Sequence, residues 1–160
     1  MRNTFATEEE LTLAFLQCSD FKNAFNTSDN ARWQAREVEG LFGIPDFMIA
    51  YKRVSSDGFR AIQAIAFEMK IKNWRRALTQ AFRYLAFAHY AYVVMDDAFC
   101  RPAIQNIRLF RKSNIGLLSI DQSSRLNWHF RPCYQQPYSL HLYKDFYDGL
   151  NGYFQSSVQH

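Results

Sequence analysis

Phe59-Arg60-Ala61-Ile62-Gln63-Ala64-Ile65-Ala66-Phe67-Glu68-Met69-Lys70 is the stretch on which the fold turns. From Ala61 to Phe67 it is apolar enough for a strand covered on both faces, as strands near the centre of a sheet are. Side chains alternate along a strand, so Glu68 and Lys70 project from one face while Phe67 and Met69 point to the other. A carboxylate and an ammonium therefore stand together where an apolar strand ends. Taken alone, the pair also reads as a solvated strand end, because Glu-x-Lys is a common triplet at average composition.

Working upstream, Ser55-Ser56-Asp57-Gly58 is a turn signal, and Phe47-Met48-Ile49-Ala50-Tyr51, opened by Pro45-Asp46, suits the preceding strand. Gly40 and Gly43 mark an earlier turn, and Arg32 to Glu39 reads as a further strand with Glu37 and Glu39 on one face. The three strands make a meander. Thr7 and Glu10 are spaced as a capping box for a helix from about residue 8 to 20, with Leu11, Ala14, Phe15 and Cys18 at helical spacing. Phe21 to Asn30 is polar and reads as a loop.

Downstream the period changes. Asn73 is placed to cap a helix from Trp74 to His89, a segment rich in Ala, Leu, Arg and Gln. Ala91 to Asp96 is strand-like. Pro102 suits the first turn of a helix to about Lys112, with Arg111 and Lys112 complementing its C-terminal dipole. Ile115 to Ile120 reads as the final strand. Strands alternating with helices imply parallel pairing through right-handed crossovers. Past Asp121, Ser139 to Leu150 reads as a helix and Ser156 to His160 as a frayed end. The expected architecture is one α/β domain over 1–160, a central mixed β-sheet flanked by α-helices. Its core spans about 7–120, and an aromatic-rich extension covers 121–155.

A length of 160 residues fits one domain of the usual size, about 100–200 residues. Hydrophobic residues at 48% and aromatics at 17% argue against a disordered chain. The net charge of +4 and pI near 9.0 permit a nucleic-acid partner without requiring one. Met1 to Glu10 is acidic where a signal peptide is basic. The most apolar window, Leu85 to Met95, is short for a membrane span and interrupted by His89, Tyr90 and Tyr92. Cys18, Cys100 and Cys133 are odd in number and widely spaced, which suits reduced thiols. These features set the expectation of a cytoplasmic protein with no membrane partner. The histidines lack zinc-ligand spacing, and neither a glycine-rich phosphate loop nor a Gly-x-Ser-x-Gly elbow is present.

Asp46 changes the weight of the Glu68–Lys70 pair. A hairpin between its strand and the next can bring its carboxylate beside Glu68. Two carboxylates at that spacing form a hard-oxygen site suited to Mg²⁺, which keeps several waters and takes one or two protein carboxylates. Such an ion can acidify water and offset charge on a scissile phosphate. Lys70 can orient the nucleophile or stabilise the developing charge. These are the parts that phosphodiester hydrolysis needs.

The segment Gly43 to Asp96 resembles the core of the PD-(D/E)XK, or restriction-endonuclease-like, nuclease superfamily. Pro45-Asp46, then Glu68-x-Lys70 at the end of the next strand, then a helix, follow that family's motif order. Gln80-Ala81-Phe82-Arg83-Tyr84 is similar to the QxxxY motif of its phage-exonuclease-type branch. The resemblance implies a restriction-endonuclease-like core and a metal-dependent nuclease, with Asp46 and Glu68 holding Mg²⁺ or Mn²⁺ and the Met69 main-chain carbonyl as a third ligand. It further implies Lys70 as the catalytic lysine, and Gln80 and Tyr84 beside the site; one buried helix face explains that last pair equally simply.

Many members of the family carry a metal-site glutamate on the first helix. Glu10 is the best-spaced candidate and Glu9 the next, although capping alone accounts for Glu10. Glu37 or Glu39 could approach from the first strand instead. Arg76 shares a helix face with Gln80 and Arg83, and with Arg75 these are the candidates for contact with a nucleic-acid backbone, DNA above all. Trp128, Phe130, Tyr134 and Tyr138 suit base stacking, or completion of the core or of a dimer. A homodimer or a partner protein remains open. The alternative reading is a catalytically inactive nuclease-fold protein, acting as a nucleic-acid-binding or protein-interaction module.

Overall fold

The computed structural model describes residues 3–25, 32–54, 56–57 and 60–157. In chain order its elements are α1 (Glu8–Gln17), α2 (Ser19–Ala24), β1 (Arg32–Arg36), β2 (Phe47–Val54), β3 (Arg60–Lys70), α3 (Trp74–Tyr84) and β4 (Tyr90–Asp96). They continue with α4 (Arg101–Gln105), α5 (Ile107–Ser113), β5 (Gly116–Ile120), β6 (Leu126–Phe130) and α6 (Lys144–Ser157). Among the described residues the strands form one six-stranded sheet in sequence order, β1-β2-β3-β4-β5-β6. β1, β2 and β3 are antiparallel neighbours, β3, β4 and β5 are parallel, and β6 returns antiparallel. The result is an α/β fold with a mixed open sheet flanked by helices, in which the expected meander and the two crossovers are present.

Alternation along the strands divides the core in two. Met48, Ala50, Ala64, Ala66, Ala91 and Val93 face α3 and α6, where Trp74, Ala77, Ala81, Tyr84, Leu150 and Phe154 cover them. Phe47, Ile49, Ile65, Phe67, Met69 and Val94 face the other way, under Leu11, Phe15 and Phe21 of the first two helices. Removing these side chains from water is the main favourable term in folding.

The helix caps follow the sequence closely. The Thr7 hydroxyl accepts from the Glu10 N–H at 3.1 Å, while the Glu10 carboxylate accepts from Ala6 rather than Thr7, at 3.0 Å. Asn73 accepts from the Arg76 N–H at 3.2 Å and starts α3.

Several boundaries differ from expectation, each for a local reason. The first helix breaks at Cys18, which is extended (φ −69°, ψ 138°), and its sulfur accepts from the Phe21 N–H to begin α2. Phe21 to Ala24 is therefore helix, not loop; the remainder of that loop, residues 26–30, lies outside the described residues. β1 ends at Arg36 because Glu37 takes φ +48°, so Glu37 and Glu39 do not share a strand face. α3 ends at Tyr84, since the chain tightens into a turn and His89 already pairs with Ala64 of β3. Asn106 splits the helix expected over 102–112, its side chain donating to the Pro102 carbonyl.

Ile115 to Ile120 is not the final strand. Asp121 accepts from the Ser123 and Arg125 N–H groups and turns the chain into β6. The sheet thus extends past residue 120, and α6 reaches back to bury Leu150 and Phe154. The helix expected over 139–150 begins as a 3₁₀ turn at Leu140–Tyr143, and α6 runs on to Ser157. Of the residues expected to fray, 158–160 lie outside the described residues, as do Ser55 and Gly58 of the expected turn. No helix among the described residues is long and apolar enough to cross a membrane. Cys18 and Cys100 are buried and Cys133 is exposed, all as free thiols.

Candidate active site

The β2–β3 register sets the first contact. Phe47 pairs with Phe67, so Asp46, one residue earlier, comes level with the Glu68 end of β3. There its carboxylate accepts the Met69 N–H at 2.7 Å. Glu68 is 2% exposed, on the α3 face. Lys70 Nζ lies 3.6 Å from Glu68 and 3.2 Å from Glu8, which closes the group from the N-terminus of α1. α3 supplies Tyr84, whose hydroxyl bonds to the Glu68 carboxylate and lies 3.1 Å from the Ile44 carbonyl.

These positions place a strong electrostatic demand on Glu68. Burial, and then the neighbouring Asp46 charge, push its carboxyl up to about 7, against the opposing pull of Tyr84 and Lys70. Burial also raises Asp46, although the Met69 N–H and Lys70 favour its ionised form. The Tyr84 phenol is driven far above its ordinary range by burial and by the Glu68 charge. A phenol has one proton and here meets two acceptors. When Glu68 is protonated it can donate to Tyr84, freeing the phenolic proton for Ile44. When Glu68 ionises, the carboxylate competes with Ile44 for that proton. The pair is therefore better satisfied protonated, unless a cation stands against the carboxylates.

Of the residues expected at the site, Asp46, Glu68, Lys70 and Tyr84 are together. Met69 offers its backbone there, while its side chain is buried on the opposite face. Gln80 lies one turn before Tyr84 on α3, and its Oε1 is buried with no hydrogen-bond partner among the described residues. Arg76 lines a cleft of about 690 Å³ with Lys70, Lys72, Glu8 and Phe99. Arg75 and Arg83 do not line it: Arg75 sits over the Trp74 ring at 4.4 Å and Arg83 over Phe42 at 5.6 Å.

Glu10 takes the capping role that its spacing already offered and not a place at the site. Its carboxylate turns back to cap α1 at Ala6, and Glu9 pairs with Arg36. The first-helix glutamate that reaches the site is Glu8, which sequence spacing did not single out. Its position depends on where α1 docks, and only the acidic run Glu8-Glu9-Glu10 hinted at it. Glu37 and Glu39 are exposed; the Glu37 N–H donates to the Asp46 carbonyl at 3.1 Å, and the Glu37 charge helps raise the Asp46 carboxyl. Among the described residues no group of three or more His, Cys, Asp and Glu has metal-holding geometry. A cation here would rest on two carboxylates completed by main-chain or water oxygens, a donor set that Mg²⁺ accepts.

No family model, no curated protein and no solved structure matches the chain. The functional reading rests on this geometry and on the motif resemblance.

Proposed function

We propose that the protein is a metal-dependent nuclease of the restriction-endonuclease-like type that hydrolyses phosphodiester bonds, in DNA above all. The observation that carries the reading is the convergence of Asp46, Glu68 and Lys70 at one end of β2 and β3, with Tyr84 bonded to Glu68. The donor chemistry suits Mg²⁺ or Mn²⁺: Asp46 and Glu68, with the Met69 carbonyl, would hold the ion, and a cation offsets the burial and the Asp46 repulsion that raise Glu68. When bound, such an ion supplies Lewis-acid stabilisation of phosphate charge and a more acidic water.

The chain's own residues have distinct tasks. Lys70, part-buried between two carboxylates, orients the attacking water and stabilises negative charge on the phosphate. Tyr84 holds Glu68 in place. Gln80 Oε1, buried without a donor, is available to a water or a substrate hydroxyl. Arg76, which lines the same cleft as Glu8 and Lys70, binds a backbone phosphate.

A second reading, a nuclease-fold protein that binds without cutting, is favoured by one observation. Glu68 is almost fully buried, and the residues lining the cleft include Lys70 and Glu8 but neither Asp46 nor Glu68. Incubation with plasmid DNA and Mg²⁺ or Mn²⁺ separates the two. Cleavage is expected to need the metal and to fall by about a hundredfold or more in Lys70→Ala. Cleavage unchanged in that variant would sink the mechanism, and no cleavage by the native chain would favour the second reading.

A further inference from the structure

The other end of β3 opens into a second cavity, of about 1030 Å³, whose walls include Ile62, His89, Tyr134, Pro137, Tyr138 and Tyr147. Ile62 and Glu68 share a strand face, roughly 20 Å apart at the strand rise. Tyr134 stacks on His89, with centroids 5.5 Å apart and planes at 30°, yet its ring is half exposed; Tyr138 is 63% exposed. Open aromatic faces of this kind are platforms for another flat ring.

His89 gives the cavity its polar handle. It is 5% exposed, and its Nδ1 accepts from the Ala64 N–H at 3.1 Å. The proton of the neutral ring therefore sits on Nε2, which has no partner among the described residues. Burial keeps the ring neutral by pulling its pKa down to about 4. At the rim, Lys144 is paired with Asp148 at 2.5 Å, so that cation is not left to demand a phosphate. The cavity thus offers ring faces and a neutral in-plane donor.

We infer that this cavity binds an unpaired nucleobase, stacked on Tyr134 and Tyr138, with a carbonyl oxygen or ring nitrogen on the base edge accepting from His89 Nε2–H. The inference rests on nucleic acid being the ligand, as in the proposed function, and adds that the strand bound has at least one unpaired base. Helix α3 joins the two places. It starts at the Lys70 cleft with Arg76 and runs back to the cavity, where the Tyr138 N–H donates to the Leu85 carbonyl and its ring lies beside Phe82. The exposed Arg75, Arg76 and Arg83 lie along that path, where intervening phosphates would run.

The test is binding of a fluorescein-labelled twelve-nucleotide oligothymidylate to the full chain in EDTA, against an abasic oligomer carrying the same phosphates. The base-bearing strand is expected to bind about tenfold tighter or better. Tyr134→Ala with Tyr138→Ala should abolish that advantage, whereas Tyr134→Phe with Tyr138→Phe, which keep the rings, should retain it. Equal binding of the two oligomers by the native chain overturns the inference, as does an advantage that persists in the double alanine variant. Because no turnover occurs in EDTA, these outcomes are separate from loss or retention of cleavage in Lys70→Ala.

Discussion

The two faces of the sheet are made of different materials. On one, Phe67 lies with its ring centroid 5.3 to 5.9 Å from those of Phe15, Phe21, Phe25, Phe47 and Tyr92. On the other, β2, β3 and β4 present Ala50, Ala64, Ala66 and Ala91, and α3 answers with Ala77 and Ala81. Interlocked rings bury large apolar areas and leave no room for a polar group. Small side chains let a helix lie close on the strands, close enough for Tyr84 to reach Glu68 from above. The aromatic face packs rings densely around Phe67; the alanine stretch of the other face is where a charged site is held.

The most direct way to break that comparison is Phe67→Ala. It removes a fully buried ring from contact with five others, and the expected loss is about 3–5 kcal/mol. Urea unfolding followed by circular dichroism checks it. A loss under about 1 kcal/mol would mean that the ring cluster around Phe67 contributes little to holding the fold together.

Glu68→Gln tests the other face, with the opposite sign. The Glu68 carboxyl titrates near 7 in the folded chain against an ordinary 4.5. Between those values the native state holds a proton that the unfolded state has released, so stability falls as pH rises from about 4.5 to 7 and is flat above. Asp46, also raised, adds a contribution of the same sign. The amide introduced by Glu68→Gln cannot ionise, so the substitution is expected to flatten most of this slope. At pH 8 it should stabilise the protein by up to about 3 kcal/mol. On the nuclease reading it also abolishes cleavage, and a gain in stability coupled to that loss would mark Glu68 as kept for chemistry. Unfolding free energies at pH 5 and pH 8 decide it: a native protein that is more stable at pH 8 than at pH 5, by an amount Glu68→Gln removes, would refute the assignment.

The two faces were also unequally legible in the sequence. β3 and its partner β2 each contain an apolar run, Ala64 to Phe67 and Phe47 to Tyr51, and the Glu68–Lys70 pairing follows from alternation alone. Asp46 needed the hairpin register, which the opposition of Phe47 and Phe67 supplies. α3 could be read from Asn73 and its composition, although not its end, because tertiary pairing of His89 with Ala64 overrides local propensity. β6 was hard to read although Leu126-Asn127-Trp128-His129-Phe130 alternates apolar and polar residues, because the run is only five residues long and four of them are half-buried at a sheet edge. Glu8 was passed over for Glu10 because helix spacing says which residues share a face, not how the helix end sits against a distant strand. Local chemistry was readable, and docking was not.

Tyr84→Phe sharpens the comparison at Glu68, where the alanine face carries a buried carboxyl. The ring keeps its packing against Phe87 and the Gly43 backbone, so the change isolates the hydroxyl. Loss of its hydrogen bonds is expected to cost about 1 kcal/mol at pH 5, where Glu68 is protonated and the Ile44 carbonyl loses its donor. At pH 8 the cost should be somewhat larger, because the hydroxyl also steadies the ionised carboxylate. Tyr84 is among the groups that hold the Glu68 pKa down, so its removal must raise that pKa further. The fall of stability with pH should then continue above 7 before levelling. A stability–pH curve whose upper end stays at 7 in Tyr84→Phe would show that Tyr84 spends its proton on Ile44 alone, and that close approach of α3 does not serve the carboxylate.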